Sequence, residues 1–176
     1  MSLPSVPCSR YSYPMKTVLR VVLSIALIVW LGAEIFLPIA AAITFETLRP
    51  DTHTAGAIVG HLLRILHGMG AVSGVVALAA LTISAARGII RPRAVVMPMA
   101  LLVLMLGITS YSQFGIIPAM ERDRIAVGGA IDTADAANPS RVDFEKLHHR
   151  SVQAETLVLL LGLATVVLVS KDETGC

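Results

Sequence analysis

The sequence predicts an all-α membrane protein, built as an up-down bundle of four transmembrane helices. Of its 176 residues, 55% are hydrophobic and only 15% are charged, whereas a soluble domain carries about 25% charged residues. Charge is missing in four long blocks, and a block of about 20 apolar residues is long enough to span a bilayer. The net charge of +2 and the lack of a nucleic-acid-binding motif exclude nucleic acid as an expected partner.

The first span is predicted at about residues 18–45, after a flexible N-terminal extension of residues 1–16 that is polar and rich in proline. The apolar run of this span is longer than the roughly 7–15 residues of a signal-peptide core. We therefore expect a retained membrane anchor. Residues 17–170 as a whole form the predicted four-helix membrane domain, and residues 171–176 form a short tail.

Three further spans follow, at about residues 55–86, 94–117 and 142–170. Pro92 and Pro98 lie near the start of the third span, where proline is tolerated, and Pro118 is predicted to end it. The first two connections are short, so successive helices are expected to be antiparallel neighbours. The third connection is longer and polar.

The distribution of lysine and arginine predicts the orientation of the bundle. Arg87, Arg91 and Arg93 cluster in the second connection, while the basic residues of the other side are diluted by acidic ones. Cytoplasmic loops carry the excess of positive charge. We therefore expect a bacterial inner-membrane protein with both termini in the cytoplasm and the first and third connections outside.

Two pairs of glycines on the second span indicate close helix packing. Gly56 and Gly60 form one pair, and Gly70 and Gly74 form the other. Glycines four residues apart let helix backbones approach closely in lipid, which favours a central position for this span. Glycines scattered in a membrane helix without a packing role are the alternative.

Ionisable residues inside a span are functional-site hypotheses, because charge in hydrocarbon is unfavourable. At about 1.5 Å per residue from the nearest cytoplasmic basic residue, Glu34 lies about 21 Å and Glu155 about 24 Å up. His67 and Gln113 both lie about 30 Å up, and His148 lies slightly higher. These residues come from all four spans, so we expect a polar group in the outer half of the bilayer.

His148, Ser151 and Glu155 share one helix face, since they are three and then four residues apart. If this face and that of Glu34 point inward, Glu34, His67, His148 and Glu155 form a candidate metal site. Imidazole and carboxylate ligands suit zinc, copper or non-haem iron, and two facing histidines suit a haem.

The same residues also have structural interpretations. The histidines can be solvated at the membrane interface, and a protonated Glu34 can hydrogen-bond a neighbouring helix. Glu155 can pair with Arg64 or with a histidine. In that case Gln113, Ser151 and Arg64 are further members of a polar cluster that only holds the helices together.

The sequence leaves three functions open. It contains no phosphate-binding glycine loop, no Gly-x-Ser-x-Gly elbow and no His-Glu-x-x-His motif, so no catalytic residue is assigned and an enzyme is not expected. A structural or accessory subunit of a membrane complex is favoured, with lipid, further copies of the chain or other membrane subunits as partners. A metal- or haem-binding redox module and a small oligomeric transporter are the alternatives.

Several short motifs also carry a resemblance to a known family. They are Trp30-Leu31-Gly32, Ala55-Gly56-x-Ile58-Val59-Gly60, Ile117-Pro118 and Phe144-x-x-Leu147-His148-x-x-Ser151-Val152. At these motifs the chain resembles, over about residues 17–169, the four-helix family that includes human transmembrane protein 205. The resemblance implies a four-span membrane protein without a settled activity. His148 lies in a motif of that family, whereas Glu34 and Glu155 depart from its pattern.

Overall fold

The computed structural model describes residues 12–171, and this part of the chain is helical without any β-strand. Its helices are α1 (Ser12–Thr47), α2 (Thr52–Ala86), α3 (Pro92–Tyr111), α4 (Ile117–Ala126) and α5 (Pro139–Lys171). A π-helical turn, Ser112–Ile116, joins α3 to α4, so that residues 92–126 run as one long helix. Four helices are therefore long and apolar enough to cross a membrane, which confirms the predicted all-α four-helix architecture.

The first helix begins earlier than its predicted span. Residues 12–16 of the predicted extension belong to α1, and Pro14 lies in its first turn, where a missing backbone N–H removes no helical hydrogen bond. Residues 1–11 of the extension and residues 172–176 of the tail lie outside the described residues.

The prediction that Pro118 ends the third span is wrong, because the helix continues to Ala126. Pro118 falls in the first turn of α4, directly after the π-helical turn, and proline is tolerated in a first turn. The long third connection consequently shrinks to residues 127–138. It ends where the Asn138 side chain accepts a hydrogen bond from the Ser140 backbone N–H at 2.9 Å and caps α5.

The other connections are tight and are closed by local hydrogen bonds. Asp51 caps α2 by accepting a hydrogen bond from the Thr54 backbone N–H at 2.9 Å. The hydrogen bonds from Thr54 hold the pKa of Asp51 below its usual range. At the other end of α2, Gly88 adopts a left-handed φ of 66°, which reverses the chain before Pro92 starts α3.

The four long helices pack in the order α1, α2, α3, α5. The α1–α2 interface is the most extensive, while α1 and α5, which close the ring, share the smallest one. The buried apolar core lies in the half of the bundle that carries the second connection. Its largest members are Leu23, Leu27, Trp30, Leu81, Leu102, Met105 and Val158.

The opposite half of the bundle is more open. None of the described residues 35–47 of α1 is buried, and neither is any of residues 139–150 of α5. Only 17–39% of each apolar helix window is buried, and the outer surface consists of large apolar side chains such as Ile28, Phe36 and Phe114. Lipid contact on the outside of the bundle accounts for this exposed apolar surface.

Candidate functional site: a polar cluster between the helices

A buried histidine connects three helical segments at the boundary between the packed and the open halves. His67 of α2 lies 2.9 Å through Nδ1 from Gln113 Oε1 of the π-helical turn. Its other ring nitrogen, Nε2, lies 2.9 Å from Glu155 Oε1 of α5. Ser112 Oγ donates to the same carboxylate oxygen at 3.0 Å. The His67 side chain is only 1% exposed, and that of Glu155 is 16% exposed.

The π-helical turn presents two of these partners. Ser112 and Gln113 are consecutive residues, yet Ser112 reaches Glu155 while Gln113 reaches His67. A π-helical turn contains one extra residue per hydrogen-bonded ring, so it changes the helical phase at this point. Turns of this kind are frequent at functional sites.

The first helix adds a second carboxylate to the cluster. Glu34 of α1 is 5% exposed, and its Oε1 accepts a hydrogen bond from the Trp30 indole N–H at 3.2 Å. His67 and Glu155 are both within electrostatic range of Glu34. All four long helices therefore contribute to one polar cluster, which we define as Glu34, His67, Ser112, Gln113 and Glu155.

Trp30 reaches this position because α2 offers no side chain against it. A Cβ added to Gly70 would lie 2.6 Å from the indole nitrogen, and one added to Gly74 would lie 2.7 Å from the far edge of the ring. Gly56 and Gly60, in contrast, have open space around them. The second glycine pair thus forms the seat of the tryptophan that positions Glu34, while the first pair is partly buried and has no described atom within 4 Å of an added Cβ.

The hydrogen bonds of His67 determine where protons lie. Gln113 Oε1 can only accept, so Nδ1 carries a hydrogen. A hydrogen bond between Nε2 and Glu155 Oε1 then contains one proton, which either nitrogen or oxygen can hold. The pair is therefore either an imidazolium facing a carboxylate or a neutral imidazole facing a carboxylic acid.

Two buried oxygens near the cluster have no hydrogen-bond partner among the described residues: Glu155 Oε2 and Thr109 Oγ1. A buried polar atom without a partner is unfavourable by about 1–3 kcal/mol. Thr109 of α3 is 3% exposed and lies three residues, or about one helical turn, before Ser112 of the π-helical turn. Glu155 of the cluster and the nearby Thr109 thus retain hydrogen-bonding capacity that no described residue uses.

Other predicted site residues lie elsewhere. His148 is exposed and stacks on Phe144, with ring centroids 6.3 Å apart and planes 3° apart. Arg64 is also exposed and is within electrostatic range of Glu121. Ser151 is buried on α5, one turn from Glu155. The structure thus brings together Glu34, His67, Gln113 and Glu155 and leaves His148 and Arg64 outside the cluster.

The donor set of the cluster consists of one imidazole and two carboxylates. Across residues 12–171, however, no group of three or more histidine, cysteine, aspartate or glutamate side chains is arranged so that it could hold a metal ion. One nitrogen of His67 is bonded to Gln113 and the other to Glu155, so both positions through which a histidine binds metal are already engaged. Metal or haem binding stays a prediction from the sequence.

Ser112 and Thr109 belong to the site but were not identified from the sequence. The signal was present, because Thr109, Ser112 and Gln113 stand at positions i, i+3 and i+4 of an otherwise apolar helix. Such spacing places three polar side chains on one face. A small hydroxyl is easily overlooked, since serine and threonine are common in membrane helices and usually bond their own backbone.

Comparison with known proteins finds a family whose model covers the part of the chain that contains several cluster residues. The model of a family described as a domain of unknown function (DUF4149) matches residues 25–124. The matched stretch contains Glu34, His67 and Gln113, but it ends before α5 and Glu155. No curated protein and no solved structure matches the chain.

Proposed function

Because the chain belongs to the family described as a domain of unknown function (DUF4149), we propose an activity from the cluster itself: the protein moves protons within the membrane. The observation that carries this proposal is the 2.9 Å contact between His67 Nε2 and Glu155 Oε1 in the interior of a membrane bundle. Ionisable side chains buried between transmembrane helices mark ion pathways and proton relays. A small proton-coupled transporter is the function that fits this geometry best.

The chemistry of the pair suits this role. Movement of one proton from Nε2 to Oε1 converts the ion pair into a neutral pair without any change in total charge. Unperturbed histidine titrates near pH 6.5, closer to neutrality than any other side chain of the cluster. His67 is only 1% exposed and its Nε2 faces Glu155, so this nitrogen exchanges a proton through Glu155.

Glu34 supplies a second proton-binding group. It lies on a different helix from the pair, and its electrostatic coupling to Glu155 and His67 means that each charge affects the others. Two like charges at close range in a medium of low dielectric constant repel strongly. Protonation of Glu34 is therefore expected to alternate with that of the His67–Glu155 pair, which is the coupling that a transporter requires.

A structural or accessory subunit is the second candidate. His67 ties α2 to the π-helical turn and to α5, so the cluster also holds the helices together. The open space beside Gly56 and Gly60 supports a docking surface for another membrane helix or a second copy of the chain. In this interpretation the cluster contributes stability and the partner carries the activity.

We place the protein in a bacterial inner membrane with both termini in the cytoplasm, which puts the open half of the bundle outside. The narrower resemblance to the transmembrane protein 205 family adds no activity. Binding of a metal or haem by Glu34, His67, His148 and Glu155 is tested by the absorption spectrum and elemental analysis of purified protein.

Proton movement is measured on protein reconstituted into liposomes that contain a pH-sensitive dye, under an imposed membrane potential. The wild type should acidify or alkalinise the lumen faster than empty liposomes do. Glu155→Gln should abolish this flux, because an amide takes up no proton. The glutamine oxygen can still accept the hydrogen bond from Ser112, so the variant keeps this contact between the helices. His148→Ala, which changes an exposed residue outside the cluster, is the matched control and should retain the flux.

The same variants separate the two candidates. If Glu155→Gln lowers thermal stability while the wild type shows no flux above the empty liposomes, the cluster is structural and the transport proposal is wrong. If the variant folds with wild-type stability and loses the flux, helix packing does not explain the cluster.

A further inference from the structure

The hydroxyl of Thr109 differs from those of six other serine and threonine residues in these helices. Those six donate to the backbone carbonyl one turn earlier, as such residues commonly do in membrane helices. The residues that do so are Thr44, Thr82, Ser84, Thr156, Thr165 and Ser170. Thr109 is buried in the same kind of helix, yet its Oγ1 has no partner among the described residues. Its hydroxyl is therefore free for a ligand.

The register of α3 against α5 locates this hydroxyl. Ser112 faces Glu155, and one added atom at Gly162 would meet Met105, so the two helices run antiparallel with Thr109 between these two levels. Thr109 is thus one turn from Ser112, with about 5–6 Å between their Cβ atoms. It lies on the side of Glu155 that faces the packed half of the bundle.

The second buried oxygen without a partner, Glu155 Oε2, can form a hydrogen bond of the opposite sense to that of the Thr109 hydroxyl. Glu155 Oε2 can accept a hydrogen bond, and the Thr109 hydroxyl can donate one. Both atoms are buried, and a single water molecule can join a donor and an acceptor that are too far apart for direct contact. We infer that Thr109 Oγ1 and Glu155 Oε2 hold an internal water molecule between α3 and α5.

This water would extend the cluster by one helical turn toward the packed half. The inference rests on the proposed function in one respect: the water would donate a hydrogen bond to the carboxylate that binds the proton. This hydrogen bond favours the charged form of Glu155 and so changes how readily Glu155 takes up and releases a proton. Thr109 is then a positioning residue, which holds the water and takes no part in binding the proton itself.

Thr109→Val and Thr109→Ser test this inference, because the first variant replaces the hydroxyl by a methyl group and the second retains the hydroxyl. The primary measurement is infrared difference spectroscopy of the full chain in lipid, in ordinary water and in water labelled with oxygen-18. We expect a hydroxyl-stretching band of bound water that shifts with the label in the wild type and in Thr109→Ser, and that is lost in Thr109→Val. The proton flux into liposomes should fall in Thr109→Val and persist in Thr109→Ser.

Two results would contradict the inferred water molecule or the proposed function. If Thr109→Val raises the unfolding temperature and leaves every label-sensitive band in place, Thr109 is a dry unpaired hydroxyl and the inference is wrong. Should the wild type carry no proton flux, the proposed function fails, while the labelled-water band still decides whether Thr109 holds a water molecule.

Discussion

The packing of Trp30 against α2 predicts how glycine-to-alanine substitutions change the free energy of unfolding. Gly70 and Gly74, which contact Trp30, are the test positions, and Gly60, which has open space beside it, is the control. Gly70→Ala places a methyl group 2.6 Å from the indole nitrogen and 2.8 Å from a ring carbon. The ring is fully buried and hydrogen-bonded to Glu34, so it cannot move aside without breaking that bond. Gly60→Ala adds the same methyl group where nothing lies within 4 Å.

Two opposing effects determine the magnitude. Alanine is about 0.8–1 kcal/mol more favourable than glycine inside a helix, and this gain applies to both positions. Overpacking a filled interior costs about 1–3 kcal/mol, and this cost applies at Gly70 alone. The free energy of unfolding should therefore be lower for Gly70→Ala than for Gly60→Ala by about 1–3 kcal/mol.

Unfolding of the reconstituted or detergent-solubilised protein by denaturant or force measures this difference. Gly74→Ala should also destabilise relative to Gly60→Ala, because its methyl group would lie 2.7 Å from both the Trp30 ring and the Leu106 side chain. Trp30→Phe should relieve part of the loss at Gly70, since the smaller ring vacates the space. Equal losses at Gly60 and Gly70, or no rescue by Trp30→Phe, would refute the packing of Trp30 against α2.

Further predictions concern the periphery of the bundle. His148→Ala should change the free energy of unfolding by less than about 0.5 kcal/mol, as for other exposed sites, measured by the same unfolding assay. The low pKa of Asp51 means that its cap stabilises the folded state above the ordinary aspartate pKa, and that this contribution is lost as the pH falls below about 4. Asp51→Asn should keep the cap and remove this pH dependence, as followed by amide hydrogen exchange at the start of α2. Gly129→Ala should lower the thermal stability more than Gly128→Ala, because both have positive φ but only the former would meet the His53 ring, at 2.5 Å.

Depth along the helices was predictable from the sequence, and it explains why much of the site was found. Counting residues from the basic ends of the spans placed Glu34, His67, Gln113 and Glu155 at similar levels, and in the structure these residues share one cluster. The rise per residue of a helix is nearly constant. Depth therefore depends little on how the helices are rotated or tilted.

Lateral packing was not predictable in the same way. His148 shares a face with Ser151 and Glu155, but α4 packs against another side of the first part of α5 and leaves His148 exposed. Periodicity shows which residues share a face, not what that face contacts. The continuation of the third helix past Pro118 was also not predictable from periodicity. A proline usually marks a helix end, but here the π-helical turn directly before Pro118 changes the backbone hydrogen-bonding pattern and lets the helix continue.

A proton-handling cluster must exchange protons at its carboxyl groups inside the bundle, and infrared spectroscopy of the protein in lipid observes this exchange directly. A pH step across neutrality should change the carbonyl-stretching band of protonated carboxylic acids in the wild type. Glu155→Gln and Glu34→Gln should each remove part of this change, while Glu145→Gln, at an exposed acid of α5, should leave it intact. A carbonyl band that does not respond to pH, or one that responds equally in all variants, would contradict a proton-handling role for the cluster.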